Sequence, residues 1–232
     1  MGEVKAVVPQ HLGLIIDGNR RWAREHGLPV AEGHRQGYLN VRTITAAAMR
    51  RGVRYLSAYV FSTENWKRDE QEVRDLMKLL SWVLRHEVHQ LHKEGIRLRI
   101  AGSRLRLGAA MVRAILHAED LTKNNTRGTL LLCLDYGGQQ EIVDAVKRIA
   151  ASGVEPEDIT PELITHHLYA PDVPAPDLII RTSGEQRLSN FMLWGSAYSE
   201  LAFPAVKWPD FTEAELDKVL ADYANRQRRF GK

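Results

Sequence analysis

The chain has 232 residues, a formal net charge of +3, 44% hydrophobic residues and 26% charged residues. This length favours one domain with a full core, and so small a charge excludes a protein that binds nucleic acid through a broad basic face. Cys133 is the only cysteine, which excludes an intramolecular disulfide and a cysteine-based zinc site.

The amino-terminal residues Met1 to Gln10 contain no apolar signal core, and no apolar run reaches the length that crosses a membrane. We therefore expect a cytoplasmic protein without a membrane anchor, and no nucleic-acid partner.

Six apolar segments predict β-strands, and several are continuous enough for strands that are buried on both faces of a parallel sheet. They span residues 11–17, 53–61, 96–101, 129–135, 177–181 and 200–203. Helical patterns lie between them, so the sequence predicts a three-layer α/β fold, with a single domain over residues 1–232.

The strongest helical pattern covers residues 70–93, where apolar side chains recur every three or four positions and Gly95 follows. A second helix is expected after Thr160, with Pro161 at its first position. A third is expected near the carboxyl terminus, where Thr212 and Glu215 fit a capping box.

The first polar motif is Asp17-Gly18-Asn19-Arg20-Arg21-Trp22, directly after the first predicted strand. Ligands bind at the carboxyl ends of parallel strands, and a helix beginning here offers N–H groups to phosphate oxygens. Asp17 is then placed to hold Mg²⁺ and Arg21 to neutralise a diphosphate. The alternative is that Asp17 only caps the helix.

Two more motifs follow strand ends. Phe61-Ser62-Thr63-Glu64-Asn65-Trp66-Lys67-Arg68 combines hydroxyls, an amide and cations, although taken alone it is better explained as an ordinary capped turn. Arg181-Thr182-Ser183-Gly184-Glu185-Gln186-Arg187-Leu188-Ser189-Asn190-Phe191 combines two arginines and two serines around a glycine, which favours a second diphosphate site.

Three basic, hydroxyl-rich loops predict substrates that carry several phosphate groups. The chain has neither a GxxxxGK[ST] loop nor a GxGxxG motif, which argues against nucleotide binding by the common routes. It also lacks the DDxxD carboxylate cluster of trans-prenyl synthases.

These motifs, taken in order, resemble the undecaprenyl diphosphate synthase (cis-prenyltransferase) family over the whole chain. The segments that carry the resemblance are HLGLIIDGN (11–19), GH (33–34), STENWKR (62–68), YGG (136–138), RTSGEQRLS (181–189), LW (193–194), YSE (198–200), WPDF (208–211) and RRFG (228–231). Several collinear motifs are far more specific than a single short one.

The resemblance implies a six-stranded, mainly parallel sheet flanked by helices, a homodimer, and a Mg²⁺-dependent reaction of an allylic diphosphate with isopentenyl or dimethylallyl diphosphate. Asp17 and Glu200 would hold Mg²⁺, and Asp17 and Asn65 would be catalytic. The implied substrate-binding residues are Gly18, Asn19, Arg20, Arg21, Trp22, His34, Ser62, Trp66, Arg68, Arg181, Arg187 and Ser189. The segment Arg229-Phe230-Gly231 would reach the partner subunit's site.

The chain departs from the family pattern at a few positions near the expected site. Arg20 replaces the second glycine of the usual GNG, and Val30 replaces an arginine that normally faces phosphate. We expect Arg20 to supply the missing charge. Asp135 and Gln139 replace the usual asparagine and arginine around Tyr-Gly-Gly, and the sequence offers no reason for that change.

Val60 is bulkier than the small residue that is common before Phe-Ser. Because Val60 narrows the expected hydrocarbon tunnel, we expect a product of roughly ten to twenty carbons instead of fifty to fifty-five. The apolar stripe of residues 70–93 would form one wall of that tunnel, although plain core packing remains an alternative for about half of its side chains.

Three functional hypotheses stay open at this point. The first is regular condensation with isopentenyl diphosphate to a short cis product. The second is irregular head-to-middle coupling of two dimethylallyl diphosphates, as in lavandulyl-type synthases, with or without cyclisation. The third is a non-catalytic partner subunit, against which the retained Asp17, Arg181 and Glu200 argue.

Overall fold

The computed structural model describes residues 7–226. A six-stranded sheet runs through the middle of this part of the chain, in the order β3-β4-β2-β1-β5-β6. All five strand pairings are parallel. The strands are β1 (His11–Ile15), β2 (Tyr55–Ser62), β3 (Ile96–Ala101), β4 (Gly128–Tyr136), β5 (Leu178–Arg181) and β6 (Glu200–Ala202).

Helices cover both faces of the sheet and confirm the predicted α/β class. They are α1 (Asn19–Glu25), α2 (Val30–Arg50), α3 (Glu70–His86), α4 (Val88–Lys93), α5 (Ala109–Thr122), α6 (Gly138–Ala151), α7 (Pro161–His166) and α8 (Glu213–Asn225). Short 3₁₀ turns occupy Thr63–Lys67, Pro156–Asp158, Gly195–Tyr198 and Trp208–Asp210. None of the helices within residues 7–226 is long and apolar enough to cross a membrane.

The predicted single helix over residues 70–93 is wrong in one respect, because it is divided at Glu87 into α3 and α4. The carboxylate of Glu87 accepts a hydrogen bond from Arg42 of α2 at 2.8 Å. Beyond this point α4 buries Val88 and Leu91 against the core. The periodicity of a segment cannot show that one of its side chains pairs with another helix, so the break was not predicted.

The predicted helix starts are confirmed. Pro161 is the first residue of α7, and Thr160 Oγ1 accepts the N–H of Leu163. Thr212 Oγ1 accepts the N–H of Glu215 at the start of α8. The Glu215 carboxylate pairs with Lys218 at 2.6 Å, so the second half of the predicted capping box is replaced by an ion pair along the helix.

The larger core lies between one face of the sheet and helices α2, α3, α5 and α8. Leu76, Leu80, Val83 and Leu84 of α3 are buried there. The other face carries a smaller cluster around Cys133, Tyr136 and Phe191. Strand β1 lies between β2 and β5, so the loops after these three strands meet at one edge of the sheet.

Candidate active site

Asp17 lies just past the carboxyl end of β1, two residues beyond Ile15, which pairs with Arg181 at the end of β5. Its Oδ2 accepts a hydrogen bond from Arg181 Nη2 at 2.8 Å. The Arg181 side chain is only 5% exposed, whereas that of Asp17 is 29% exposed. The carboxylate therefore faces the solvent-filled edge while a buried guanidinium fixes its orientation.

Arg181 organises the loop that follows β5. Its Nη1 donates to Ser189 Oγ at 2.6 Å and to the carbonyl oxygen of Arg187 at 2.7 Å. One guanidinium thus joins the Asp17 loop to the Ser189 loop, a geometry that the planar fork of arginine allows and a lysine could not reproduce.

The loop after β5 is held in an unusual backbone conformation. Ser183, Ser189 and Asn190 have positive φ angles of 75°, 48° and 69°. Such residues are uncommon outside glycine and concentrate at functional sites. Ser183 Oγ is buried without a hydrogen-bond partner, and a Cβ at Gly18 would lie 2.4 Å from it. A side chain at position 18 would therefore collide with Ser183, so glycine lets the loops after β1 and β5 pack closely beside Asp17.

Three basic side chains converge on Glu72 of α3. Glu72 lies 3.0 Å from Arg68, 3.4 Å from His34 Nε2 and 3.7 Å from Arg20. Burial, and then the positive charge of Arg68, lower the pKa of His34 below its usual value of 6.5. His34 is thus a neutral imidazole at neutral pH, available as a hydrogen-bond donor or acceptor.

A second set of ion pairs lies at the exposed rim. Arg21 contacts Glu185 at 3.0 Å and Asp17 at 3.4 Å. Arg187 contacts Glu185 at 2.6 Å, and this pairing holds the pKa of the Glu185 carboxyl below its usual range. Arg187 is 58% exposed, so it reaches the site from solvent.

The loop after β2 supplies the third group of side chains. Asn65 Oδ1 accepts the N–H of Ser62 at 3.1 Å, and Ser62 and Asn65 form a reciprocal capping box around the 3₁₀ turn Thr63–Lys67. This turn presents Asn65 and Arg68 at the sheet edge. The predicted capped turn is confirmed, and the binding role of its side chains stays a prediction.

Two adjoining cavities open at this edge. One of about 430 Å³ is lined by Gly18, Asn19, Arg20, Arg21, Arg24 and His34, among others. The other, of about 530 Å³, is lined by Ser62, Glu64, Arg181, Ser189 and Asn190, among others. Asp17, Tyr59, Asn65 and Arg68 line both. The loops therefore form two polar chambers with Asp17 at their boundary.

Within one chain, the predicted metal ligand Glu200 lies away from Asp17. It begins β6 opposite Leu178, at the amino end of the strand whose carboxyl end carries Arg181. Three strand residues, about 10 Å, separate the two ends. Glu200 Oε2 accepts a hydrogen bond from Arg226 at 2.8 Å.

Two predicted binding residues hold the surrounding structure instead of lining the cavities. Trp22 Nε1 donates to Asp210 at 2.8 Å. Trp66 Nε1 donates to Asp135 at 2.7 Å. The expected contact of Arg229-Phe230-Gly231 with a partner subunit lies outside the described residues.

Sequence reasoning missed Arg24 and Glu72, and it included Glu64 and Asn190 in polar motifs without assigning them a role. Asn190 Nδ2 donates to Glu64 at 2.9 Å, and its Oδ1 accepts the N–H of Gln139 at 2.8 Å. It therefore ties together the loops after β2, β4 and β5. Asn190 could have been predicted, because it directly follows the RTSGEQRLS segment. Glu72 could not, because it looks like any other polar residue of a helix.

Mg²⁺ fits the donor chemistry at Asp17. This ion takes oxygen ligands and is commonly held by one or two carboxylates together with substrate phosphates. Asp17 offers a part-exposed carboxylate beside arginines that would bind the phosphates, and the unpartnered Ser183 hydroxyl lies close by. The remaining ligands would have to come from substrate and water.

A family model described as putative undecaprenyl diphosphate synthase matches residues 15–231. Isoprenyl transferase 2 of Bradyrhizobium diazoefficiens is 45% identical, covering 99% of this chain and 93% of the relative. A trans,polycis-polyprenyl diphosphate synthase of Thermobifida fusca, specific for (2Z,6E)-farnesyl diphosphate, is 44% identical over 98% of this chain and 82% of its own length.

The structure of lavandulyl diphosphate synthase from Lavandula x intermedia, in complex with dimethylallyl diphosphate, superimposes with a TM-score of 0.93. It is 37% identical in sequence, and the match covers 97% of this chain and 99% of the other.

The chain thus belongs to the undecaprenyl diphosphate synthase family. This membership makes it a prenyltransferase that acts on prenyl diphosphates.

Proposed function

We propose that this protein condenses an allylic prenyl diphosphate with isopentenyl diphosphate, releasing diphosphate and forming a short-chain cis product. The observation that carries the proposal is the pair of adjoining polar cavities with Asp17, Asn65 and Arg68 on their common boundary. Two cavities suit two diphosphate substrates, and the common boundary is where their reacting carbons would meet.

The allylic diphosphate is assigned to the cavity of Gly18, Arg20, Arg21 and His34. Positive side chains there would form charge-assisted hydrogen bonds to phosphate oxygens. Glu72 already gathers Arg20, Arg68 and His34 within 3.7 Å. The two guanidinium groups and the neutral imidazole are thus assembled before the substrate arrives, which lowers the cost of ordering them upon binding.

Isopentenyl diphosphate is assigned to the cavity of Arg181, Ser189 and, from the rim, Arg187. The guanidinium of Arg181 is fixed by Asp17, Ser189 and the backbone of residue 187. This fixed geometry favours recognition of one diphosphate position and helps to set the distance between the two substrates.

The reaction breaks the carbon–oxygen bond of the allylic diphosphate and forms a carbon–carbon bond to the terminal carbon of isopentenyl diphosphate. This leaves a cation on the third carbon of isopentenyl diphosphate. A proton then leaves the adjacent second carbon to the released diphosphate or to water, and the electron pair of that carbon–hydrogen bond forms the new double bond. Mg²⁺ held by Asp17 would neutralise charge on the departing diphosphate. Arg21 and Arg68 add positive charge at the same place. Asn65 lies at the common boundary, where the new bond would form, and Ser62 lines the second cavity beside it.

A short product is supported by packing below the allylic cavity. Val60 and Leu76 line that cavity. The space further in, between α2, α3 and the sheet, is filled by Tyr38, Val41 and Val83 and leaves about 10 Å³, which is room for one water molecule. Tyr38 follows His34 by four residues, or about 6 Å along the helix axis. Between α2, α3 and the sheet, these side chains therefore leave little depth for a hydrocarbon tail.

Irregular coupling of two dimethylallyl diphosphates is the second candidate. It is favoured by the close superposition on lavandulyl diphosphate synthase. The replacement of the usual phosphate-facing arginine by Val30 is compatible with either reaction.

The test is product analysis of the purified protein with Mg²⁺, first with dimethylallyl diphosphate alone and then with isopentenyl diphosphate added. Product only in the mixture supports regular condensation, and product from dimethylallyl diphosphate alone supports irregular coupling. If neither forms, geranyl and farnesyl diphosphates are tried as allylic substrates. Failure of all four conditions rejects both candidates and leaves the non-catalytic partner hypothesis.

Chain length is tested with Tyr38→Ala, which enlarges the space between α2, α3 and the sheet. We expect the main product to lengthen by at least one five-carbon unit. Tyr38→Phe is the matched control, since it preserves the ring and removes only the hydroxyl, and it should leave the product unchanged. An unchanged product from Tyr38→Ala contradicts the assignment of this space to the hydrocarbon tail.

The homodimer implied by the resemblance is also proposed for this protein, and the molar mass in solution, measured by light scattering, would test it.

A further inference from the structure

Asp135 is a buried carboxylate to which the proposed reaction gives no role. It lies near the end of β4, and its side chain is fully buried. Its backbone φ is +50°, a left-handed conformation that is unfavourable for most residues and is visited mainly by glycine, asparagine and aspartate. A buried charge in such a conformation persists only when its surroundings satisfy it.

Two side chains satisfy the carboxylate. Trp66 Nε1 donates to Oδ1 at 2.7 Å. Arg106 forms a bidentate ion pair, with Nε donating to Oδ2 at 3.2 Å and Nη2 donating to Oδ1. The Arg106 guanidinium also lies 5.4 Å from the centre of the Trp66 ring, within the range of a cation–π contact. Asp135 thus contacts the indole at its N–H edge, and Arg106 contacts the face of the same ring.

Trp66 connects this cluster to the reaction site. It belongs to the 3₁₀ turn Thr63–Lys67, between Asn65 and Arg68, which line both substrate cavities. On the inner side the indole meets Phe61 edge to face, with ring centres 5.1 Å apart. The turn that presents Asn65 and Arg68 is thus anchored through a side chain that faces away from the cavities.

The loop that carries Arg106 is itself tied to β4. Ser103 N donates to the carbonyl oxygen of Asp135 at 3.1 Å. Gly102 has φ of +136°, and a Cβ there would lie 1.9 Å from the carbonyl oxygen of Leu134. Only glycine permits this approach. The backbone hydrogen bond from Ser103 to Asp135 therefore holds the Arg106 loop beside β4, and Gly102 makes this close contact possible.

We propose that Asp135 and Arg106 are positioning residues for prenyl transfer, which act by fixing Trp66 and hence the placement of Asn65 and Arg68. The assignment of Asn65 and Arg68 to the substrates rests on the proposed function. This gives a physical reason for a carboxylate where the family usually has asparagine, because only a carboxylate can bind the indole and neutralise Arg106 together.

Two substitutions of Asp135 distinguish its bond to Trp66 from its ion pair with Arg106 without straining the backbone. Asp135→Asn tolerates the left-handed conformation and can still accept from Trp66, but it loses the ion pair with Arg106. Asp135→Gly also tolerates that conformation and removes both bonds. Glu119→Gln is the matched control, because Glu119 pairs with Arg104 of the same loop at 2.8 Å and lies outside the Trp66 cluster.

We expect kcat to fall about tenfold in Asp135→Asn and about a hundredfold in Asp135→Gly, since small misplacements of reacting groups cost this much. Glu119→Gln should stay within about twofold of the parent. Trp66→Phe keeps the ring and removes the donor. When Trp66→Phe is combined with Asp135→Gly, the additional fall in kcat should be less than about threefold, because both changes break the same bond.

A second readout follows Trp66 directly and does not depend on activity. The chain has five tryptophans, so labelling with 5-fluorotryptophan gives five fluorine resonances, and Trp66→Phe identifies one of them. In Asp135→Gly the Trp66 resonance should shift or broaden while the other four keep their positions. A general loss of stability would move them together.

An unchanged Trp66 resonance in Asp135→Gly, or kcat in that variant within twofold of the parent, overturns the proposal. Failure of the proposed function is distinguishable, because the parent protein would then form no prenyl product while the fluorine spectra would still report the anchoring of Trp66.

Discussion

The two sides of the candidate site hold their charges in different ways. On the Asp17 side (Asp17, Arg181 and Ser189), a guanidinium that is 5% exposed contacts the carboxylate at 2.8 Å and the serine at 2.6 Å. On the Glu72 side, defined by Glu72 with His34, Arg68 and Arg20, the separations range from 3.0 to 3.7 Å and Arg20 is 44% exposed.

The difference shows which charged side chains are fixed in position by the folded chain and which can change partner when a ligand binds. A pair with a buried guanidinium is costly to break, because the remaining charge loses its partner in a poorly solvated place. An exposed pair at a longer distance contributes little and rearranges easily. The Asp17 side is therefore a preformed frame, whereas on the Glu72 side the exposed Arg20 can exchange the Glu72 carboxylate for a substrate phosphate.

The largest effect is expected from Asp17→Asn, which removes the carboxylate assigned to Mg²⁺ and leaves Arg181 without its counter-ion. We expect kcat to fall about a hundred- to a thousandfold, as for loss of other groups that stabilise transition-state charge. Steady-state kinetics at saturating Mg²⁺ measure it. Asp210→Asn is the control, since that carboxylate binds Trp22 away from the cavities. More than a tenth of the parent kcat in Asp17→Asn would contradict the assigned role.

Arg181→Lys tests the frame itself. A lysine ammonium cannot bridge Asp17, Ser189 and the backbone of residue 187 at once, so kcat/KM for isopentenyl diphosphate should fall about ten- to a hundredfold. The KM for the allylic substrate should change much less, because that diphosphate is assigned to the Glu72 side. Equal changes in both KM values would abolish the distinction between the two sides.

Arg20→Gly tests the Glu72 side, where we expect a rise of about three- to tenfold in the allylic KM with little change in kcat. Arg20→Gln accompanies it, because glycine also weakens the first turn of α1. Unchanged binding of the allylic diphosphate in both variants would defeat the idea that Arg20 replaces the charge missing at Val30.

The smallest effect concerns the pH dependence of stability. Burial and the charge of Arg68 lower the pKa of His34 below 6.5, so the unfolded chain takes up a proton before the folded one. The stability contributed by the neutral imidazole is present above pH 6.5 and is lost as the pH falls from there toward the folded pKa.

Urea denaturation at about pH 7.5 and about pH 5.5 should therefore show a larger loss of unfolding free energy in the parent than in His34→Gln. Equal losses in the two proteins would show that His34 titrates alike in the folded and unfolded chains.

Much of the fold was predictable because its signals are local. Every predicted strand is present, and the cap at Thr160 and the proline at the start of α7 follow from the chemistry of single residues. The break at Glu87 was not predictable, since it depends on Arg42 of another helix. The site was predicted in outline, because its motifs follow strands that end at one edge.

The α/β class, the three polar loops at strand ends and the residue types that suit diphosphates could all be read from the sequence, because periodicity and short motifs encode them locally. Which charges meet depends on the folded chain. It set Arg181 between Asp17 and Ser189, gathered His34, Arg68 and Arg20 around Glu72, and placed Glu200 at the far end of its strand. It also gave Asp135 its partners. These pairings join residues far apart in the chain, and their energies depend on burial and distance, which a linear sequence does not specify.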